Sequence, residues 1–173
     1  MTVLREFAPD EVDALQELIE SDPGYTERVT GYPPGPADAQ GLLMMRPEGL
    51  HAEQKKVLGL WDGVQLVAVV DLLRGYPNER TAFIGLLEVH GEHRGKGAGA
   101  AAYQGVEEYV GREWSEIRTL RLAVVDTNAA EAQGFWERLG FGQTGEVKPY
   151  RYDKLESLTR LYEKQLLRKQ GGG

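Results

Sequence analysis

Residues 86–101, LLEVHGEHRGKGAGAA, hold the residue types and spacings best suited to chemistry. An apolar run ends in Glu88 and Val89, then His90, and passes into a loop with Gly91, Gly95, Gly97 and Gly99, with Arg94 and Lys96 between them. Glycines let a backbone approach a ligand closely, and the first turn of a helix offers unpaired N–H donors at the positive end of its dipole. Two cations in an otherwise acidic chain add to that attraction. The chemistry predicted is capture of a phosphate or pyrophosphate, with Glu88 and His90 as candidate proton-transfer groups beside it.

Two familiar phosphate-binding spacings fail. A P-loop needs four residues between its first glycine and Gly-Lys-Ser/Thr. Here three residues separate Gly91 from Gly95-Lys96-Gly97, and the metal-binding hydroxyl is missing. The dinucleotide fingerprint needs G-x-G-x-x-G, whereas Gly95, Gly97 and Gly99 give G-x-G-x-G.

The elements that position this loop can be read from periodicity. Residues 81–89 (TAFIGLLEV) are apolar at nearly every position, which predicts a central strand. A helix over 97–110 follows, then an alternating strand over 118–125 and a helix over 128–139 stopped by Gly140. Upstream, residues 2–7 read as a strand, and Pro9-Asp10 opens a helix with Val12, Leu15, Leu18 and Ile19 on one face. That helix is expected to end near residues 21–24. Residues 25–36, with Gly31, Pro33, Pro34, Gly35 and Pro36, are not expected to be regular throughout, and a short helix covers 37–45. Asp62-Gly63 joins strands over 56–61 and 64–73 in a hairpin. The last strand is expected over 158–166, and residues 170–173 as a disordered tail. The order predicts a single α/β domain over 1–169 with a mixed sheet.

Composition narrows the function classes. The 173 residues carry 20 Lys and Arg against 27 Asp and Glu, a formal charge of −7. Non-specific nucleic-acid binding depends on cations and is not expected. There is no cysteine, which excludes a disulfide scaffold, a thiolate zinc site and a cysteine nucleophile; no metal is expected. Residues 66–73 are the longest apolar run and are too short to span a membrane. Arg5, Glu6, Asp10 and Glu11 stand where a secretory signal would be apolar, so the expected location is the cytoplasm.

Arg94-Gly95-Lys96-Gly97-Ala98-Gly99 matches R/Q-x-x-G-x-G/A. Downstream, Val124-Val125-Asp126-Thr127-Asn128 ends a strand, and Phe135-Trp136-Glu137-Arg138-Leu139-Gly140-Phe141 closes the next helix. Together these segments resemble the GNAT N-acetyltransferase family, by motif over residues 81–142 and by element order elsewhere. The resemblance implies a central mixed sheet flanked by helices and acetyl-CoA as co-substrate. Arg94 to Gly99 would hold the pyrophosphate. The strands over 81–89 and 118–125 would splay apart, so that the pantetheine arm meets the backbone from Leu87 to Val89. Asn128 and Trp136 would be further cofactor contacts. The acceptor, a small-molecule primary amine or else a peptide or protein amine, would approach across residues 25–45. A homodimer is among the assemblies the resemblance implies.

Amine acetylation needs a base to deprotonate the acceptor ammonium and donors for the developing oxyanion. Glu88 is the candidate base; the alternative is a carboxylate satisfied by a neighbouring Lys or Arg. His90 has a suitable intrinsic pKa but reads more readily as a solvent-exposed loop histidine. Asp71 interrupts an apolar strand and reads as pointing to solvent at its end. His51 and His93 have no partner in sequence. Trp136 stands where many members of the family carry a tyrosine acid, and indole cannot donate a proton as an acid. It reads equally as a cofactor contact or as core, with Phe135 and Leu139. Tyr103, Tyr109, Tyr150 and Tyr152 remain candidate acids. Asn128 reads as a cofactor contact, a helix N-cap or both. Residues 42–45 read as core more readily than as an acceptor pocket. The rival functions are a non-catalytic acyl-CoA-binding or sensing domain and, against the spacings, a nucleotide-binding protein.

Overall fold

The computed structural model describes residues 2–167. The tail expected over 170–173 lies outside the described residues. Seven strands form one sheet in the order β1-β2-β3-β4-β5-β7-β6. They are β1 (Thr2–Glu6), β2 (Lys55–Asp62), β3 (Gln65–Arg74), β4 (Thr81–Val89), β5 (Thr119–Val125), β6 (Gly142–Tyr152) and β7 (Leu155–Gln165). Every neighbouring pair is antiparallel except β4 and β5.

Helices cover both faces. On one, α1 (Val12–Ser21) and α3 (Asp38–Met44) close a core with Leu15, Leu18, Ile19, Val57, Trp61 and Val69. On the other, α4 (Ala98–Glu113) and α5 (Ala129–Arg138) close a larger core built from Leu58, Leu72, Ile84, Val106, Leu120 and Leu122. The strand-dense middle is apolar on both faces because both faces are covered.

The central parallel pair is short. Its register runs only from Thr81 opposite Thr119 to Ile84 opposite Leu122. At that point Gly85 is an extra residue on β4, because Ile84 opposes Leu72 while Leu86 opposes Asp71. The bulge turns β4 away from β5, and residues 85–89 have no strand on that side. A side chain at Gly85 would meet the Asp71 carboxylate, with a Cβ 2.9 Å from Oδ2.

Several expectations change. Residues 25–36 divide: α2 (Pro23–Thr30) starts with Pro23 in its first turn, where no N–H is needed, and ends at Gly31 with φ +83°. The motif Asp22-Pro23-Gly24 therefore begins a second helix as well as ending the first. The expected 158–166 strand begins at Leu155, and β6 joins it by a hairpin that the sequence analysis did not predict. β6 is exposed at ten of its eleven positions, so it carries no in-out alternation, and Gly145 and Pro149 read as turn residues. As an edge strand it keeps Lys148 and Pro149, which discourage further pairing.

Asp71 does not point to solvent. It is 8% exposed and pairs with Lys55 Nζ at 2.9 Å. Met44 and Met45 are exposed, not core, while Leu42 and Leu43 pack against the core under α1. Among the described residues, no helix is long and apolar enough to cross a membrane.

Candidate functional site

The divergence of β4 and β5 opens a cavity of about 600 Å³. Its walls include Ile84 to Val89 on β4, Leu122 to Val125 on β5, the loop and first turn of α4, and one face of α5. α2 closes the remaining side with Asp22, Tyr25, Arg28 and Val29.

The glycine loop enters from the end of β4. Gly91–His93 form a single 3₁₀ turn capped by His90, and α4 starts at Ala98 after Gly97. Gly95 and Gly97 have φ of +75° and +82°, and a Cβ at either would meet nothing within 4 Å. The loop thus has the backbone shape and free space of an anion cradle, with the α4 N-terminus behind it. Gly91 has another reason to lack a side chain, since a Cβ there would lie 2.2 Å from the Ser21 carbonyl oxygen. Gly99 lets α4 pack on Phe135, 3.0 Å from its would-be Cβ.

Of the residues expected to bind the cofactor, Leu87, Val89, Arg94, Gly95, Gly97, Ala98, Gly99, Asn128 and Trp136 all line the cavity. Lys96 is exposed beside it and is not among its lining residues. Arg94 is held by Asp22 at 3.2 Å and Glu131 at 3.4 Å. Trp136 is at once core and cavity wall. It is 7% exposed, stacks edge-on with Tyr103, Phe135 and Phe141, and still forms part of the cavity wall. Asn128 occupies the N-cap position of α5 but its side chain makes no capping bond. Its Oδ1 accepts a hydrogen bond from Arg28 Nε at 2.7 Å instead.

Glu88 is 6% exposed, and its Oε1 has no hydrogen-bond partner. It opposes Val69 across the β3–β4 pair and so shares the face covered by α1. Burial, with Asp22 and Asp38 nearby, outweighs Arg28 and pushes its carboxyl up to about 8. The alternative of a carboxylate neutralised by a bonded Lys or Arg does not describe this residue.

His90 is 2% exposed, not a solvent histidine. Its Nδ1 accepts from the Glu92 N–H at 3.1 Å, so Nε2 carries the proton toward Glu17 at 2.8 Å. That pair tethers the loop to α1 and lies outside the cavity lining.

The four tyrosines offered as acids are not in the cavity wall. Tyr103 is core, Tyr109 stacks on Trp114, and the Tyr150 hydroxyl donates to the Val29 carbonyl. Tyr152 lines a separate pocket with Tyr32 and Asp153. The tyrosine that does line the cavity is Tyr25, whose hydroxyl is pushed upward by burial and then by the charge of Glu88. Tyr25, Asp22 and Arg28 carry no signal in the sequence, because α2 has no apolar stripe and is framed by prolines and glycines.

A mixed seven-stranded sheet split at its one parallel pair, with helices on both faces, is that of an acyl-CoA N-acyltransferase fold. Residues 13–141 match the model of the GNAT acetyltransferase family, and the chain belongs to that family. A search of curated proteins gave no match. Solved structures share the fold at low identity. An acetyltransferase from Thermus thermophilus is 22% identical, with 96% of this chain and 97% of that one covered at a TM-score of 0.70. Spermidine N-acetyltransferase from Vibrio cholerae, in complex with CoA and spermine, is 17% identical, with 95% of each chain covered at 0.71. The ribosomal-protein-S18-alanine N-acetyltransferase from Escherichia coli is 15% identical, with 99% and 98% covered at 0.68.

Proposed function

We propose that this protein transfers an acetyl group from acetyl-CoA directly to a primary amine, with Glu88 as the general base. The observation that carries this reading is a buried, unpartnered Glu88 carboxyl at the mouth of the β4–β5 split. The loop from Arg94 to Gly99 would hold the pyrophosphate, with the Gly95 and Gly97 backbone free to approach it. The unpaired edge of β4 from Gly85 to Val89 would meet the pantetheine arm and offer N–H groups to the thioester oxygen. Asn128 and Trp136 would flank the arm from α5.

The acceptor ammonium must lose a proton before its nitrogen can attack. Glu88, raised to about 8, is basic enough to take that proton and is partly ionised at neutral pH. The nitrogen then bonds to the thioester carbonyl carbon; as the tetrahedral intermediate collapses the C–S bond breaks, sulfur keeps the electron pair, and the nitrogen gives up its second proton, which protonates the departing thiolate. Tyr25 lines the cavity, and because burial and Glu88 hold its proton more tightly, its hydroxyl serves as a hydrogen-bond donor rather than as an acid. No cysteine exists to carry the acetyl group, and direct transfer requires acetyl-CoA and amine to be bound together in a ternary complex. Asp22, Asp38 and Glu88 favour a cationic acceptor, with a small-molecule amine ahead of a peptide or protein amine.

The test combines thermal denaturation and turnover. CoA or acetyl-CoA at about 100 times its Kd should stabilise the fold by roughly 2.7 kcal/mol, and ATP or NADH should not. Thiol release from acetyl-CoA is then followed across a panel of primary amines. Stabilisation by neither CoA form would refute the assignment. Tight CoA binding with no thiol release for any amine or peptide would favour an acyl-CoA sensor.

A further inference from the structure

Arg94 stands in the loop assigned above to the pyrophosphate, yet its guanidinium already has partners. Nη1 lies 3.2 Å from Asp22 Oδ2, and Nη2 lies 3.4 Å from Glu131 Oε2. Asp22 is the enclosed member, its side chain 17% exposed against 49% for Arg94 and 48% for Glu131. Asp22 also lines the same cavity as Glu88, and after burial its charge is the largest influence keeping Glu88 protonated. One carboxylate thus acts in two directions, toward the loop arginine and toward the unpartnered Glu88.

We infer that Asp22 couples the two substrate sites by exchanging ion-pair partners, pairing with Arg94 until the cofactor pyrophosphate takes that guanidinium and with an acceptor ammonium thereafter. The inference rests on the CoA reading of the loop. A guanidinium presents five N–H donors in one fixed plane, so it cannot serve Asp22, Glu131 and a diphosphate equally well. When Arg94 turns to phosphate, Asp22, a largely enclosed carboxylate, loses its ion pair and keeps only the more distant Arg28, beside a second buried carboxyl. That arrangement is unfavourable, and an incoming alkylammonium relieves it. Because coupling is reciprocal, an ammonium at Asp22 must favour CoA binding by the factor by which CoA favours the ammonium. Asp22 is therefore a positioning residue that directs amines to the loaded enzyme.

The test is the CoA dissociation constant of the full chain, measured by titration calorimetry at constant ionic strength without acceptor. Asp22→Asn removes the competing partner and should tighten CoA binding, by up to about fivefold for a partly exposed ion pair. Arg94→Gln should weaken CoA binding and abolish the effect of Asp22→Asn in the double variant. A second arm compares methylammonium chloride with tetramethylammonium chloride at equal concentration. Methylammonium should tighten CoA binding to the unmodified protein but not to Asp22→Asn. Glu131→Gln frees Arg94 without touching the acceptor side, so it should tighten CoA and keep the methylammonium effect. This variant carries the test if Asp22→Asn does not fold.

Unchanged or weaker CoA binding by Asp22→Asn would overturn the inference. So would equal tightening in the Arg94→Gln background, or equal CoA affinity in the two salts. Those results would leave the CoA assignment standing, whereas failure of the unmodified protein to bind CoA would remove both.

Discussion

Arg28 Nε donates a hydrogen bond to Asn128 Oδ1 at 2.7 Å, joining α2 to the turn before α5 across the open end of the cavity. The Thr127 hydroxyl donates to the Arg28 carbonyl, and the Tyr150 hydroxyl donates to the carbonyl of Val29. α2 is thus bound from the α5 side and from β6, and it carries Tyr25 and Arg28 over Glu88. A helix without an apolar stripe is placed here by long-range polar bonds.

Asn128→Ala should loosen this strap. A hydrogen bond to a charged donor contributes about 1.5 kcal/mol, equivalent to roughly 3–6 °C in Tm for a chain of this size. Differential scanning calorimetry measures the loss. A Tm within a degree of the parent would show that the bond contributes no stability. Arg28→Gln should additionally raise the Glu88 carboxyl further, because Arg28 is its one cationic influence. The rising limb of kcat/KM against pH should then move to higher pH, and a limb that stays in place would argue against Glu88 as the titrating base.

Glu88→Gln separates activity from stability. Loss of a general base lowers kcat by about 10²–10⁴-fold. Stability should move in the opposite direction, and only at high pH. Burial pushes the folded carboxyl up to about 8 from its ordinary 4.5. Below pH 4.5 both folded and unfolded states hold the proton, and there is no penalty. Between 4.5 and about 8 the unfolded carboxyl ionises while the folded one stays neutral, so stability falls as pH rises, levelling off above 8. The accumulated cost is at most about 5 kcal/mol, and Gln does not incur it. Urea denaturation at pH 4 and pH 9 should therefore show Glu88→Gln level with the parent at the lower pH and more stable at the higher. Equal stability at pH 9 would mean that folding does not raise the carboxyl above its ordinary range.

The loop glycines should fail in different ways. Gly97→Ala places a side chain in free space but at φ +82°, a backbone cost of about 1–2 kcal/mol. It should weaken CoA binding by reshaping the cradle while leaving a folded protein. In Gly91→Ala the new Cβ meets the Ser21 carbonyl oxygen at 2.2 Å, so the loop and α1 must separate. Overpacking of that kind costs about 1–3 kcal/mol. Denaturation and CoA titration of both variants should rank Gly91→Ala lower in stability for the same loss of affinity. The reverse ranking would contradict the packing role of Gly91.

The segment from Thr81 to Phe141 was legible from sequence because its signals are local. An apolar strand, a glycine run with Arg94 and Lys96, and a helix that closes with Phe135-Trp136 announce themselves within short windows. The hairpin at Asp62-Gly63 belongs to the same class, since turn chemistry acts over two residues. Glu88 could be nominated because its place at the end of a strand is a one-dimensional fact.

What surrounds Glu88 was decided only in three dimensions. Its burial depends on α1 and α2 folding over the β4 end, and its charge state on Asp22, Asp38 and Arg28, whose distance from it no window spans. The His90 partner is Glu17, and the Asp71 partner is Lys55, so neither residue could be recognised as buried from its own neighbours in sequence. β6 went unpredicted because an exposed edge strand has no inner face to pattern, and its pairing with β7 alone makes it a strand. Local chemistry is written along the chain, whereas desolvation and ion pairing are properties of the space between elements and exist only once the sheet and its helices have closed.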